Sequence, residues 1–99
     1  MLNREQIKYL RKYAHKLKPV FQVGKSGESF DQLNSIEEYL AIHEIVKVSI
    51  LNNAPEERDY YVDVLDEAGF EIVNVIGKTI TIYKHSDNEN KKSRVKLPR

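Results

Sequence analysis

VFQVGKSGESF, residues 20–30, runs from a short apolar segment through two glycines spaced G-x-x-G into Ser29, with Gln32 three residues further on. The S-x-x-Q spacing is a capping-box signature, so the stretch reads as a strand over Val20–Val23 that turns directly into a helix. Lys25 and Ser26 stand between the glycines, as in loops that cradle phosphate. Gly24-Lys25-Ser26 matches the end of G-x-x-x-x-G-K-[ST], but the first glycine of that motif would fall at Pro19. The dinucleotide fingerprint G-x-G-x-x-G fails as well, because Gln22 and Phe30 occupy two of its glycine positions. What survives is G-x-x-G between a strand and a helix, a pattern that in isolation is commonly a plain turn.

Upstream, Asn3 with Gln6 forms an N-cap, and Leu2 and Ile7 sit at staple positions around it. Ile7, Leu10, Ala14 and Leu17 then make one apolar stripe, and Pro19 is expected to end this helix. Arg4, Lys8, Arg11, Lys12, His15 and Lys16 fall on its opposite side. Downstream, Leu33, Ile36 and Leu40 carry a second amphipathic helix to about His43. EIVKVSIL, residues 44–51, alternates and is β-branched, a strand with Val46, Val48 and Ile50 inward. Asn53-Ala-Pro-Glu56 offers an N-cap, an early proline and an acid, the expected start of a third helix that Gly69 closes. FEIVNVI and TITIY flank Gly77-Lys78, a two-residue hairpin connection. From His85 the chain is polar and without periodicity, so residues 85–99 are expected to be a disordered basic tail behind a domain of residues 1–84. The order is α-β-α-β-α-β-β, an α/β single domain with a mixed four-stranded sheet packed by helices.

Composition narrows the function. At 99 residues and 40% hydrophobic content the chain builds one core and has little left for a deep substrate cleft, which disfavours an enzyme. It has no cysteine, so disulfides, zinc-thiolate centres and cysteine nucleophiles are excluded. The charged N-terminus and the absence of a long apolar run predict a soluble, cytoplasmic protein that uses no membrane. The net charge of +1 hides a strong polarity: residues 1–25 carry seven Lys/Arg against one acid, residues 26–90 four against fourteen, and residues 91–99 five against none. A local positive field attracts phosphate even where the total cancels. A strip as long as the first helix suits a polynucleotide better than a mononucleotide, and G-x-x-G loops clamp nucleic-acid backbone in known modules.

The run YLRKYAHKLKPVFQVGKSGESF, residues 9–30, resembles the signature of the CRM domain, in particular the small single-domain bacterial YhbY-like proteins. Leu10-Arg11, Ala14-His15, Leu17, Pro19-Val20 and Gly24-Lys25-x-Gly27 carry the match, and IVKVSIL and VIGKTITIYK continue it more loosely. The resemblance implies a fold similar to the C-terminal domain of bacterial translation initiation factor three. It also implies a non-enzymatic RNA-binding protein acting on precursors of the large ribosomal subunit. Lys8, Arg11, Lys12, His15, Lys16, Lys18, Gly24, Lys25, Ser26 and Gly27 would contact the RNA. Two residues depart from the family pattern: Glu5 where a basic residue is usual, and Glu28 where a leucine is usual.

Other residues have plainer readings. His15, His43 and His85 show no H-x-x-H or H-E-x-x-H spacing, so no metal and no cofactor is expected. Ser26 has no identifiable base partner and reads as a hydroxyl donor to phosphate. Tyr9 and Tyr13 read as half-buried packing, with base stacking as the sharper alternative. Glu56, Glu57, Asp59, Asp63, Asp66 and Glu67 make the third helix acidic, a solvated face or a surface that docks a basic ribosomal protein or assembly factor. The expected state is a monomer with RNA as its principal partner, and a protein-docking adaptor is the alternative.

Overall fold

The computed structural model describes residues 2–98. Its elements are α1 (Arg4–Ala14), β1 (Phe21–Val23), α2 (Phe30–His43), β2 (Ile45–Ile50), α3 (Arg58–Glu67), β3 (Glu71–Ile76) and β4 (Thr79–Tyr83), the α-β-α-β-α-β-β order read from the sequence. No helix among the described residues is long and apolar enough to cross a membrane. The sheet order is β1-β2-β4-β3. β1 runs parallel to β2, and β4 is antiparallel to both of its neighbours. β2 and β3 therefore point the same way, as a helical crossover dictates, with the last strand inserted between them.

This insertion divides the side chains of β4 between two cores. Ile80 and Ile82, with Val46, Val48 and Ile50 of β2, are buried under α2 and α3 with Ile36, Leu40, Tyr61 and Leu65. Tyr83 faces the other way, where it joins Ile45, Val73 and the Leu10 and Ala14 stripe of α1. Burial of each large aliphatic side chain contributes roughly 1.5–3 kcal/mol, so both faces stabilise the sheet. The Asn3–Gln6 capping box of α1 is formed in both directions. Ser29 caps α2 by accepting from the Gln32 N–H, but the Gln32 amide donates to the Gln22 carbonyl instead of returning to the cap. Gly77 has φ 58° and Lys78 has no positive φ, the pattern of a type II′ hairpin turn.

Three boundaries differ from the sequence reading. α1 stops at Ala14 with His15 as its C-cap, and a turn from Ala14 to Leu17 follows. Pro19 acts several residues upstream because its ring disfavours helix at Lys18 and would clash with the His15 carbonyl. Lys16 and Lys18 thus leave from a linker rather than from the helix. α3 begins at Arg58, not at Asn53, and Glu57 at its cap makes no side-chain capping bond. The residues between β2 and α3 are engaged elsewhere: Asn52 accepts from Lys78 Nζ at 2.6 Å, and the Glu56 N–H donates to the Tyr61 hydroxyl at 3.2 Å.

The third difference is the tail. Its described residues have no helix or strand, and they make hydrogen bonds to the domain. The last turn of α2 leaves carbonyls without intrahelical partners, and Ser86 Oγ donates to Ala41 O while the Lys92 N–H donates to Ile42 O. Further on, the Lys96 N–H donates to the Tyr9 hydroxyl, Gln6 Nε2 donates to Pro98 O, and Val95 and Leu97 pack against the α1 cluster. Glu44 is the clasp. It closes α2 at φ 66°, and its buried carboxylate accepts the Ser86 N–H at 2.8 Å beside Lys91 Nζ at 3.5 Å and His85 Nδ1 at 3.3 Å.

Glu44→Ala removes these partners and should cost about 1–3 kcal/mol. Cleavage by a lysine-specific protease after Lys92 and Lys96 should accelerate while exchange of β2 and β4 amides stays slow; an unchanged cleavage rate would mean that Glu44 does not hold the tail. Burial, followed by the nearby Glu44 charge, pushes the Tyr83 phenol up to about 12. The folded protein keeps this proton while the unfolded chain releases it near pH 10, so stability is lost as pH rises from about 10 to 12. Urea titrations of Tyr83→Phe should show a shallower alkaline decline than the parent.

Candidate nucleic-acid interface

Lys8, Arg11, Lys12, His15, Lys16 and Lys18 are all exposed, and among the described residues none of them pairs with a carboxylate. They form one cationic surface along α1 and its linker. Arg11 does not point freely into solvent: its Nε donates to the Val73 carbonyl at 3.3 Å. Val73 is where β3 bulges, since Ile72 pairs with Ile82 and Asn74 with the next residue back, Thr81. The bulge fixes a cation on the edge of the sheet. Lys16 Nζ lies 4.3 Å from the Tyr13 ring centre, a cation–π contact. Tyr9 and Tyr13 are half-buried against the α1 core, so they pack rather than stand free for stacking.

Gly24 to Gly27 form a β-turn, with the Gly27 N–H donating to Gly24 O at 2.9 Å. Neither Lys25 nor Ser26 has a positive φ, which makes the turn type I. Both side chains are exposed at the tip, and their N–H groups make no hydrogen bond to the described protein. The two glycines are not equivalent. Gly27 has φ 68°, and a Cβ there would stand 3.1 Å from Pro55 Cγ and 3.5 Å from the Tyr61 hydroxyl. Gly24 lacks a positive φ, and its Cβ would make ordinary contacts of 3.5 Å with Leu51 and Asn53. The loop before α3 therefore serves as the buttress beneath the turn, which is why it does not start a helix.

Glu28 accepts from the Tyr60 hydroxyl at 3.1 Å. That bond, with the carboxylate charge, holds the exposed Tyr60 phenol above its ordinary value. Beyond the turn, Phe30 is 78% exposed.

Between α1 and the sheet lies a groove of about 180 Å³ that the sequence reading missed. Arg11 and His15 line it from α1, Lys47 from β2, Asn74 and Ile76 from β3, and Thr79 from β4. The Val20 N–H donates to Lys47 O, so the linker reaches the groove just before β1. From Val20 the chain needs four strand steps, about 13 Å, to reach Gly24. Strip, groove and turn thus follow one another along the chain. The signal for Lys47 was present in EIVKVSIL, because an alternating strand with Val46 and Val48 inward puts Lys47 on the α1 face.

The model of the CRS1 / YhbY (CRM) domain matches residues 2–84. "Probable RNA-binding protein YqeI" of Bacillus subtilis is 39% identical over 99 residues, covering 99% of this chain and 100% of that protein. "Probable RNA-binding protein PA4753" of Pseudomonas aeruginosa is 34% identical, covering 91% of this chain and 88% of that protein. The solution structure of the hypothetical protein SAV1595 from Staphylococcus aureus, "a putative RNA binding protein", superposes with a TM-score of 0.76 at 38% identity. That match covers 99% of this chain and 100% of the other.

Gly27→Ala should destabilise the protein by about 1–3 kcal/mol, since it forces a left-handed conformation and a contact with Pro55. Gly24→Ala should lie within about 0.5 kcal/mol of the parent. Urea denaturation measures both, and equal losses would show that the turn geometry described here is wrong.

Proposed function

The chain belongs to the CRS1 / YhbY (CRM) domain family, and from that premise we propose that it is a non-enzymatic RNA-binding protein. The α1 strip and the GKSG turn hold the RNA backbone. One observation carries this reading: a surface of cations that have no carboxylate partner among the described residues leads from α1 to a turn whose Lys25 and Ser26 N–H groups make no hydrogen bond to those residues. Phosphate contacts of this kind supply affinity and register without reading sequence. Lys8, Lys12, Lys16, Lys18 and Lys25 act as point charges, His15 adds a donor, and Arg11 is held in place by Val73 O. Gly27 is needed for the turn itself, whereas a Cβ at Gly24 would make only ordinary contacts with Leu51 and Asn53.

The RNA we propose is ribosomal, in precursors of the large subunit, with the protein acting as a cytoplasmic, monomeric assembly factor. The family resemblance of residues 9–30 supports that assignment. No cofactor and no metal enters it. The acidic α3, with Asp59, Asp63 and Asp66 exposed, would carry the work instead if the protein were an adaptor for a basic ribosomal protein.

Replacing Lys25 and Ser26 together by Asp puts two negative charges at the turn tip. Affinity for structured RNA should fall at least tenfold, about 1.4 kcal/mol, in a variant whose circular dichroism and melting match the parent. Lys8→Glu with Lys12→Glu should weaken binding further and flatten the dependence of log K on log salt. Unchanged affinity in the folded double-Asp variant removes the turn from the interface. Loss of ribosomal association on reversing Asp59, Asp63 and Asp66, with RNA affinity intact, would favour the adaptor.

A further inference from the structure

Resting on the RNA-binding reading, the geometry points to a second element of recognition: we propose that the groove between α1 and the sheet receives one unpaired nucleotide of the bound RNA. α1 ends at Ala14, so the β2-β4-β3 surface beyond it is left open on the α1 side. At about 180 Å³ the groove is smaller than the ~300–1,000 Å³ of small-molecule sites. A base that has left its helix is a flat object with a charged backbone attached, and the groove offers a counterpart to each part.

The backbone is met by two cations on two elements, Arg11 and Lys47, and by His15 as a further donor. Among the described residues none of them forms an ion pair, and no carboxylate lines the groove. Arg11 is preorganised by its bond to Val73 O, which reduces the entropy lost when phosphate binds. The base edge is met by Asn74, whose amide both donates and accepts, and by the Thr79 hydroxyl. The base face is met by Ile76, 65% exposed although it is a β-branched strand residue.

The bulge at Val73 creates this arrangement. With strict alternation from Ile72, which packs with the α2/α3 core, Asn74 and Ile76 would turn toward that same core. The extra residue inverts them, so that Val75 enters the core while Asn74 and Ile76 enter the groove. A polar residue and an exposed isoleucine are thereby placed beside Arg11 and Lys47.

The test compares a short oligouridylate with a blunt RNA duplex as probes for the full chain, using Lys47→Ala and Ile76→Ser. Both positions are at least partly exposed and lie outside the core clusters, and circular dichroism checks that each variant folds. Each should weaken oligouridylate binding at least about fivefold, as expected for loss of one phosphate or base contact, and change duplex binding less than about twofold. In the parent, the Asn74 side-chain amide and Ile76 methyl resonances should shift with oligouridylate and not with duplex. Equal losses for both RNAs, or none, would overturn the groove assignment while leaving RNA binding intact. A parent that binds neither RNA would overturn the reading beneath it. Lys47-dependent binding of polyglutamate, with RNA binding unchanged in the variants, would assign the groove to an acidic peptide instead.

Discussion

The antiparallel pairing of β4 with β2 on one side and β3 on the other is the constraint from which the rest of the molecule follows. It puts the last strand of the sheet at its centre, where Ile80 and Ile82 are fully buried against α2 and α3. The same strand turns Thr79, Thr81 and Tyr83 to the α1 side. Because both faces of β2 and β4 are used, the domain has two apolar clusters, and a chain of 99 residues holds its sheet without a disulfide. The short edge strand β1 is then free to end in a turn, and the opposite edge β3 is free to bulge.

Both edges serve the proposed interface. On β1, the turn needs glycine at position 27 because the backbone is left-handed and Pro55 and Tyr61 stand close beneath. Its stiffness is borrowed from the loop before α3. On β3, the bulge frees a carbonyl for Arg11 and redirects Asn74 and Ile76. The helix that carries the cationic strip is joined to the sheet at Arg11 and to the tail at Gln6 and Tyr9. The acids that balance the total charge are concentrated elsewhere: Asp59, Asp63, Asp66 and Glu67 are exposed on α3, which packs on the other face of the sheet.

Much of this was legible from local pattern. Capping residues and period 3.6 located α1 and α2, alternation located β2 and β4, and Gly77-Lys78 located the hairpin. The one-sided charge of residues 1–25 and the G-x-x-G spacing marked the strip and the turn. Other features left no local trace. Asn53-Ala-Pro-Glu56 has the composition of a helix start, but it forms a turn and a bend instead, packed under Gly27 and held by the bond from the Glu56 N–H to Tyr61. The tail lacks periodicity because it is held by main-chain bonds to α2 and by two isolated apolar residues, Val95 and Leu97.

The sequence by itself determined the type and order of the elements and the polarity of charge, since both depend on residues within a turn or two of each other. The tertiary structure alone decided that β4 lies between β2 and β3, that Glu44 clasps the tail, and that Lys47 joins Arg11 and His15 across a groove. Those outcomes depend on hydrogen-bond registers between distant segments, and a shift of one residue in register exchanges the two faces of a strand. The single extra residue at Val73 is such a shift, and it separates an Asn74 turned into the core from one that lines the groove.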